Sequence, residues 1–184
     1  MFINPQTAIK NGWITGLTNP EKQVQPNAID FTADKAFTVA IEHAYVSEEG
    51  KQMRGGGPME LTVASMSSML ETPSNPDWKD WWAIPGKDMI DCLSNIYVDL
   101  PEGVAAQLVI RSTLARNGLL LTSGLYDWGF RGHIGFLLHN LHSQPAFIAP
   151  GTRVGQIIFV SSDSAGVYSG GYNHDAGTEL EYQQ

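Results

Sequence analysis

A mainly β fold, a sandwich or barrel preceded by one short helix, is what this sequence predicts, and three observations predict it. Seven short apolar runs are bounded by Gly, Pro, Asn or Asp. They are rich in Val, Ile, Phe and Tyr, residues that suit a pleated, half-buried surface. Their turns recur regularly, as in proteins built from many short strands.

The helix comes first, over residues 4–14. Pro5 suits a first turn, Ala8, Ile9 and Trp13 fall on related faces, and Gly12 and Gly16 stand near the end. Strands are predicted at 28–32, 37–45, 61–66, 96–99, 105–111, 133–140 and 155–161. Residues 47–86 break the pattern and read as an insertion. Glu48-Glu49-Gly50-Lys51, Arg54-Gly55-Gly56-Gly57-Pro58 and Thr72-Pro73-Ser74-Asn75-Pro76 are turn sequences. The glycine triplet lacks the strand, Lys-Ser/Thr and helix of a phosphate loop, so it reads as a linker. Trp78, Trp81 and Trp82 read as packing residues, in the core or between subunits, because large amphipathic rings favour half-buried positions.

Composition narrows the function. A chain of 184 residues with 42% hydrophobic and 10% aromatic residues holds enough apolar material for one core, so 1–184 is read as a single domain. No run of about 18 apolar residues is present to span a bilayer. The first residues lack the basic and apolar regions of a secretory signal, so the expected location is cytoplasmic. Cys92 is the one cysteine, which excludes an intrachain disulfide and a cysteine-rich zinc site and leaves it as an apolar filler. The formal charge of -8 repels nucleic acid and anionic membranes. A small anion needs a local basic cluster or a metal.

Such a cluster is available between 108 and 140. Arg111-Ser112 stands at the end of one predicted strand and Asp127 at the boundary of another, ahead of the Phe130-Arg131-Gly132 turn. Loops at strand ends are where chemistry concentrates. Arg111 can equally cap a turn or pair with an acidic neighbour, and Asp127 can equally bond its own turn. His139 and His142 have no third ligand at a supporting spacing, so a metal there is disfavoured.

Taken in order, the segments resemble the trimeric dUTPase and dCTP deaminase superfamily from the N-terminal helix to about Gly177. The first is Gln25-Pro26-Asn27-Ala28-Ile29-Asp30-Phe31. Ile84-Pro85-Gly86 and Val98-Asp99-Leu100-Pro101 follow. Arg111-Ser112-Thr113-Leu114-Ala115-Arg116-Asn117-Gly118-Leu119 is closest to the deaminase branch, whereas the shape of 127–140, with Gly135, is closer to the dUTPase branch. Pro150-Gly151-Thr152-Arg153-Val154-Gly155-Gln156-Ile157 completes the series. Each is weak alone; five in order are strong.

The resemblance implies a distorted jelly-roll, the dUTPase-like β-clip, in a homotrimer with sites at subunit junctions and edges covered by trimer closure. It implies a deoxypyrimidine nucleoside triphosphate as ligand and Mg2+ as cofactor, with Asp30 touching the metal through water. Arg111, Ser112, Arg116 and Gln156 match phosphate-binding positions. The stretch 119–126, including Gly124, Leu125 and Tyr126, matches a hairpin that grips the pyrimidine through its backbone. Phe130 matches the ring under the deoxyribose, and Tyr172 belongs to a C-terminal arm at 165–184 that closes the site. Asp127 matches the carboxylate that orients the water attacking the α-phosphorus, a role worth roughly 10²- to 10⁴-fold. Arg131 and Arg153 match residues that brace the trimer.

Two departures shape the reading. Leu137 stands where the deaminases keep an essential glutamate, and an alkyl chain moves no protons, which disfavours dCTP deamination. The arm from Tyr168 to Thr178 carries no Lys or Arg to clamp a γ-phosphate, so the load falls on Arg111, Arg116 and magnesium. His174 reads as a surface turn residue. The expected activity is hydrolysis of dUTP to dUMP and diphosphate. A dCTP deaminase and a non-catalytic nucleotide-binding trimer are the alternatives.

Overall fold

Phe31 and Phe136 meet edge to face at 5.0 Å where two antiparallel sheets pack against each other, and around this contact the chain builds its core. The computed structural model describes residues 1–39, 61, 81–163, 166–170 and 172–173. Most of the expected insertion, the predicted strand at 61–66 beyond its first residue, the end of that at 37–45, His174 and the rest of the arm lie outside the described residues.

In chain order the elements are α1 (Pro5–Lys10), β1 (Ile14–Thr15), α2 (Pro20–Gln23), β2 (Ile29–Thr32), β3 (Lys35–Thr38), β4 (Trp82–Ile84), β5 (Met89–Asp99) and β6 (Val104–Ile110). Then come α3 (Ser112–Arg116), β7 (Leu119–Thr122), β8 (Leu125–Tyr126), β9 (Arg131–Asn140), β10 (Ala146–Ile148) and β11 (Arg153–Ser161). One sheet runs β1-β5-β9-β7, with β3 also on β5; the other runs β2-β11-β6-β8; β4 and β10 form a separate pair.

The mainly β expectation holds, and the reason is visible along β9. Ile134, Phe136, Leu138 and Asn140 are buried while His133, Gly135, Leu137 and His139 are half-exposed, the period of two that the sequence carries. Ile29, Phe31, Ile157 and Phe159 fill the space from the second sheet. Gly155 lets that packing close, because a Cβ there would lie 2.2 Å from the Phe31 ring.

Three expectations need correction. The N-terminal helix ends at Lys10 rather than 14, because Gly12 turns at φ 71° and the chain enters β1. The strand expected at 96–99 is the second half of the 11-residue β5. Ser94-Asn95, just ahead of the predicted start, is an irregularity inside the strand, where the Asp34 carboxylate accepts from Asn95 N at 2.9 Å. The stretch 119–126 is not a hairpin: β7 pairs with β9 in the first sheet and β8 with β6 in the second. Ser123-Gly124 therefore carries the chain between sheets, a step invisible to a local turn signal.

Candidate functional site

The pairing of β2 with β11 sets Asp30 directly opposite Gln156. Gln156 Nε2 donates to Asp30 Oδ1 at 2.8 Å. From the head of β11, Arg153 Nη1 reaches Asp30 Oδ2 at 2.9 Å, and Arg111 Nε reaches the same oxygen at 3.2 Å from the end of β6. A third link runs from Arg111 Nη1 to the Arg153 carbonyl at 3.2 Å. Asp30 is 1% exposed whereas the two guanidinium side chains keep 28% and 31%. Two cations on one buried carboxylate leave a net positive edge turned toward water, which suits an anion.

Sequence reasoning found Asp30, Arg111 and Gln156 but gave Asp30 to a metal and Arg153 to trimer bracing. Within the chain Arg153 serves Asp30, and its Nη1 also donates to the Lys22 carbonyl. Both Asp30 oxygens accept from these donors, Oδ1 from the Gln156 amide and Oδ2 from the two guanidinium groups, so any metal contact of Asp30 would be the expected one through water. Among the described residues no group of three or more His, Cys, Asp or Glu gathers to hold a metal. Gln23, missed from sequence, is 2% exposed and fastens Asp30 by donating from Nε2 to its carbonyl at 3.0 Å. The Asn19-Pro20 start of α2 was the available signal, since Asn before Pro announces a helix.

Arg111 caps α3, whose Ser112 and Arg116 side chains are exposed and have no partner among the described residues. Four of the predicted phosphate residues, Arg111, Ser112, Arg116 and Gln156, thus lie at one end of the β6–β11 ladder.

Asp127 lies at the other end. Tyr126 pairs with Ala106 on β6, so Asp127 and Arg111 leave β6 some six positions apart, on the order of 20 Å at the usual strand rise. Asp127 is half-buried, and its carboxylate has no hydrogen-bond or ion-pair partner among the described residues. Its carbonyl accepts from Phe130 N at 3.1 Å, closing the turn into β9. Gly124 and Leu125 are exposed just ahead of it.

Phe130 and Tyr126 sit deeper than their expected ligand roles. Phe130 is 6% exposed, between Tyr126 at 4.9 Å and Tyr168 at 5.5 Å. Tyr126 OH donates to the Gly135 carbonyl at 2.8 Å, and burial pushes its hydroxyl far above the usual phenol value. Tyr172 is exposed at 54%. Leu137 projects from the half-exposed face of β9, paired with Asp91 on one side and Thr122 on the other.

The chain matches a family model described as dCTP deaminase-like over residues 6–162. It is 31% identical over 164 residues to a Bifidobacterium longum protein named "dCTP deaminase, dUMP-forming", covering 88% of this chain and 77% of that one. It is 30% identical over 152 residues to a Methanopyrus kandleri protein named "Probable deoxyuridine 5'-triphosphate nucleotidohydrolase", covering 83% and 88%. In fold it resembles the crystal structure of 2'-deoxycytidine 5'-triphosphate deaminase from Agrobacterium tumefaciens, with a TM-score of 0.60 at 13% identity over 85% of this chain. It spans 46% of the length of that solved chain.

Proposed function

This chain belongs to the dCTP deaminase-like family, and we propose that within it the protein hydrolyses dUTP to dUMP and diphosphate. The observation that carries this reading is a pair of side chains at β9. A half-buried carboxylate without a described partner, Asp127, stands at its head, and the alkyl Leu137 stands where the deaminases keep glutamate. The first can hold and deprotonate a water. The second cannot shuttle protons to a leaving amine.

The separation of Asp127 from Arg111 fits a site shared between protomers of a homotrimer. One protomer supplies Arg111, Ser112, Arg116 and Gln156 to the phosphates, with Asp30 holding the guanidinium of Arg111 in place. The next supplies Asp127 to the water and Gly124-Leu125 to the base. Tyr172 closes over the ligand from the arm. Phe130, inside the protomer, shapes the turn that presents Asp127. Magnesium in this reading arrives with the triphosphate and its own waters, offsetting phosphate charge without a protein cage.

A second reading, dCTP deamination, is favoured by one observation: register sets Asp91 opposite Leu137 on the same face of the sheet, one strand away from the missing glutamate. A single assay separates the two. Purified protein with Mg2+ and either dUTP or dCTP is followed for diphosphate and for ammonia. Diphosphate from dUTP without ammonia from dCTP is expected, and Asp127→Asn abolishes it. Ammonia from dCTP overturns the proposal.

A further inference from the structure

Asn173 lies 42 positions beyond Arg131, yet its side-chain amide sits on the backbone that follows Asp127. Oδ1 accepts from Arg131 N at 2.8 Å, and Nδ2 approaches the Gly129 carbonyl at 3.4 Å. A primary amide carries one acceptor and one donor group in a plane, so it can take the place of a strand neighbour's peptide group. Two further contacts come from the same segment. Tyr168 N donates to the Trp128 carbonyl at 3.0 Å, and the Tyr168 ring packs on Phe130. Gly129, at φ 80°, leaves room for Val167, whose Cγ1 would lie 2.4 Å from any Cβ there.

The turn is also held by Leu100, the residue after β5. Gly129 N donates to the Leu100 carbonyl at 2.7 Å, and Leu100 N donates to that of Phe130 at 3.0 Å. The backbone from 128 to 131 is thus fixed between Leu100 and the residues Val167, Tyr168 and Asn173. Asp127 opens that turn through its own carbonyl's bond to Phe130 N. The turn at 129–131 thus braces the backbone from which the Asp127 carboxylate projects.

We propose that Asn173 is a positioning residue: by clamping the Gly129–Arg131 backbone it fixes the turn that presents Asp127. The catalytic half of this rests on the reading of Asp127 as the base. Asn173 touches no reacting atom, so its loss affects placement and leaves phosphate binding intact.

The test compares Asn173→Ala and Asn173→Asp with the full-length wild type. Amide exchange at Arg131 is read by nuclear magnetic resonance, alongside dUTP turnover and the dissociation constant of a non-hydrolysable dUTP analogue. In Asn173→Ala, Arg131 exchange rises roughly tenfold, the worth of one hydrogen bond. Turnover kcat falls by about tenfold, and analogue affinity, which senses the neighbouring Tyr172, falls by less than kcat, the signature of lost transition-state alignment. Asn173→Asp keeps the acceptor and so keeps Arg131 protected. Unchanged exchange in Asn173→Ala overturns the clamp, and so does raised exchange with unchanged kcat. A wild type that leaves dUTP intact overturns the dUTPase reading instead, and exchange at Arg131 still judges the clamp.

Discussion

Arg116 follows one end of the β6–β11 ladder and Asp127 lies at the other, so on the proposed reading no single chain holds a whole site, and two crippled variants should repair each other. Arg116→Ala removes a phosphate contact from every junction, and Asp127→Asn removes the base. Arg116 is the better choice than Arg111, because it is exposed and holds no described partner, whereas Arg111 also anchors Asp30. Each variant alone is expected to lose turnover by at least about 10²-fold. When equal amounts are unfolded and refolded together, each junction takes its phosphate side from one subunit and its carboxylate from the next. Either side is wild type in half of the random draws, so about a quarter of the junctions carry both, and about a quarter of wild-type diphosphate release returns. The assay is diphosphate release from dUTP with Mg2+, before and after mixing, with subunit mixing verified by mass-tagged chains. Demonstrated mixing with no recovery above the single variants would refute the shared site.

Other outcomes follow from the packing. Asp30→Asn leaves two guanidinium groups without their carboxylate. Breaking a buried pair costs about 3–5 kcal/mol, but these arginines are partly hydrated, so a loss of about 2 kcal/mol is expected, read as a lower urea midpoint. Gly155→Ala drives a methyl into the Phe31 ring, which is wholly buried against Phe136. It should destabilise by about 1–3 kcal/mol, and an unshifted melting temperature would count against this packing. Burial, with Asp91 nearby, holds the Cys92 thiol and the Tyr126 hydroxyl protonated in the folded chain. The unfolded chain ionises at about pH 8.5 and 10, so their contribution is full below those values. It falls as pH rises, by up to about 1.4 kcal/mol per unit for each group. Urea midpoints from pH 7 to 10.5 check the slope, and Cys92 should resist a thiol reagent until the chain unfolds.

Much of this was legible in the residues. β9 buries every second residue, a period that His133-Ile134-Gly135-Phe136 already shows in the sequence although Phe136-Leu137-Leu138 breaks it, and α1 was announced by Asn4-Pro5. The family order of motifs picked out Asp30, Arg111 and Gln156, which the fold does bring together. Local signals misled where they met tertiary pairing. The strand predicted to start at Ile96 starts at Met89, because the long partner strand β9 and the Asp34 carboxylate carry it across the irregularity at Ser94-Asn95. The hairpin that the resemblance implied at 119–126 does not form, because its two flanks belong to different sheets, which nothing local announces. The clamp of Asn173 on Arg131 left no sequence signal, since an asparagine in a Gly-rich segment looks like any loop residue.

What the sequence determined by itself was the kind of structure and the kind of chemistry: side-chain period, turn composition and charge depend on near neighbours, and those are written along the chain. Which end of the ladder each reactive group occupies was decided only by the tertiary structure. Strand pairing between distant segments brings Asp30, Arg111, Arg153 and Gln156 to one end and sends Asp127 to the other. Register across a sheet is set by the burial of whole faces at once, a condition that no single stretch of residues contains.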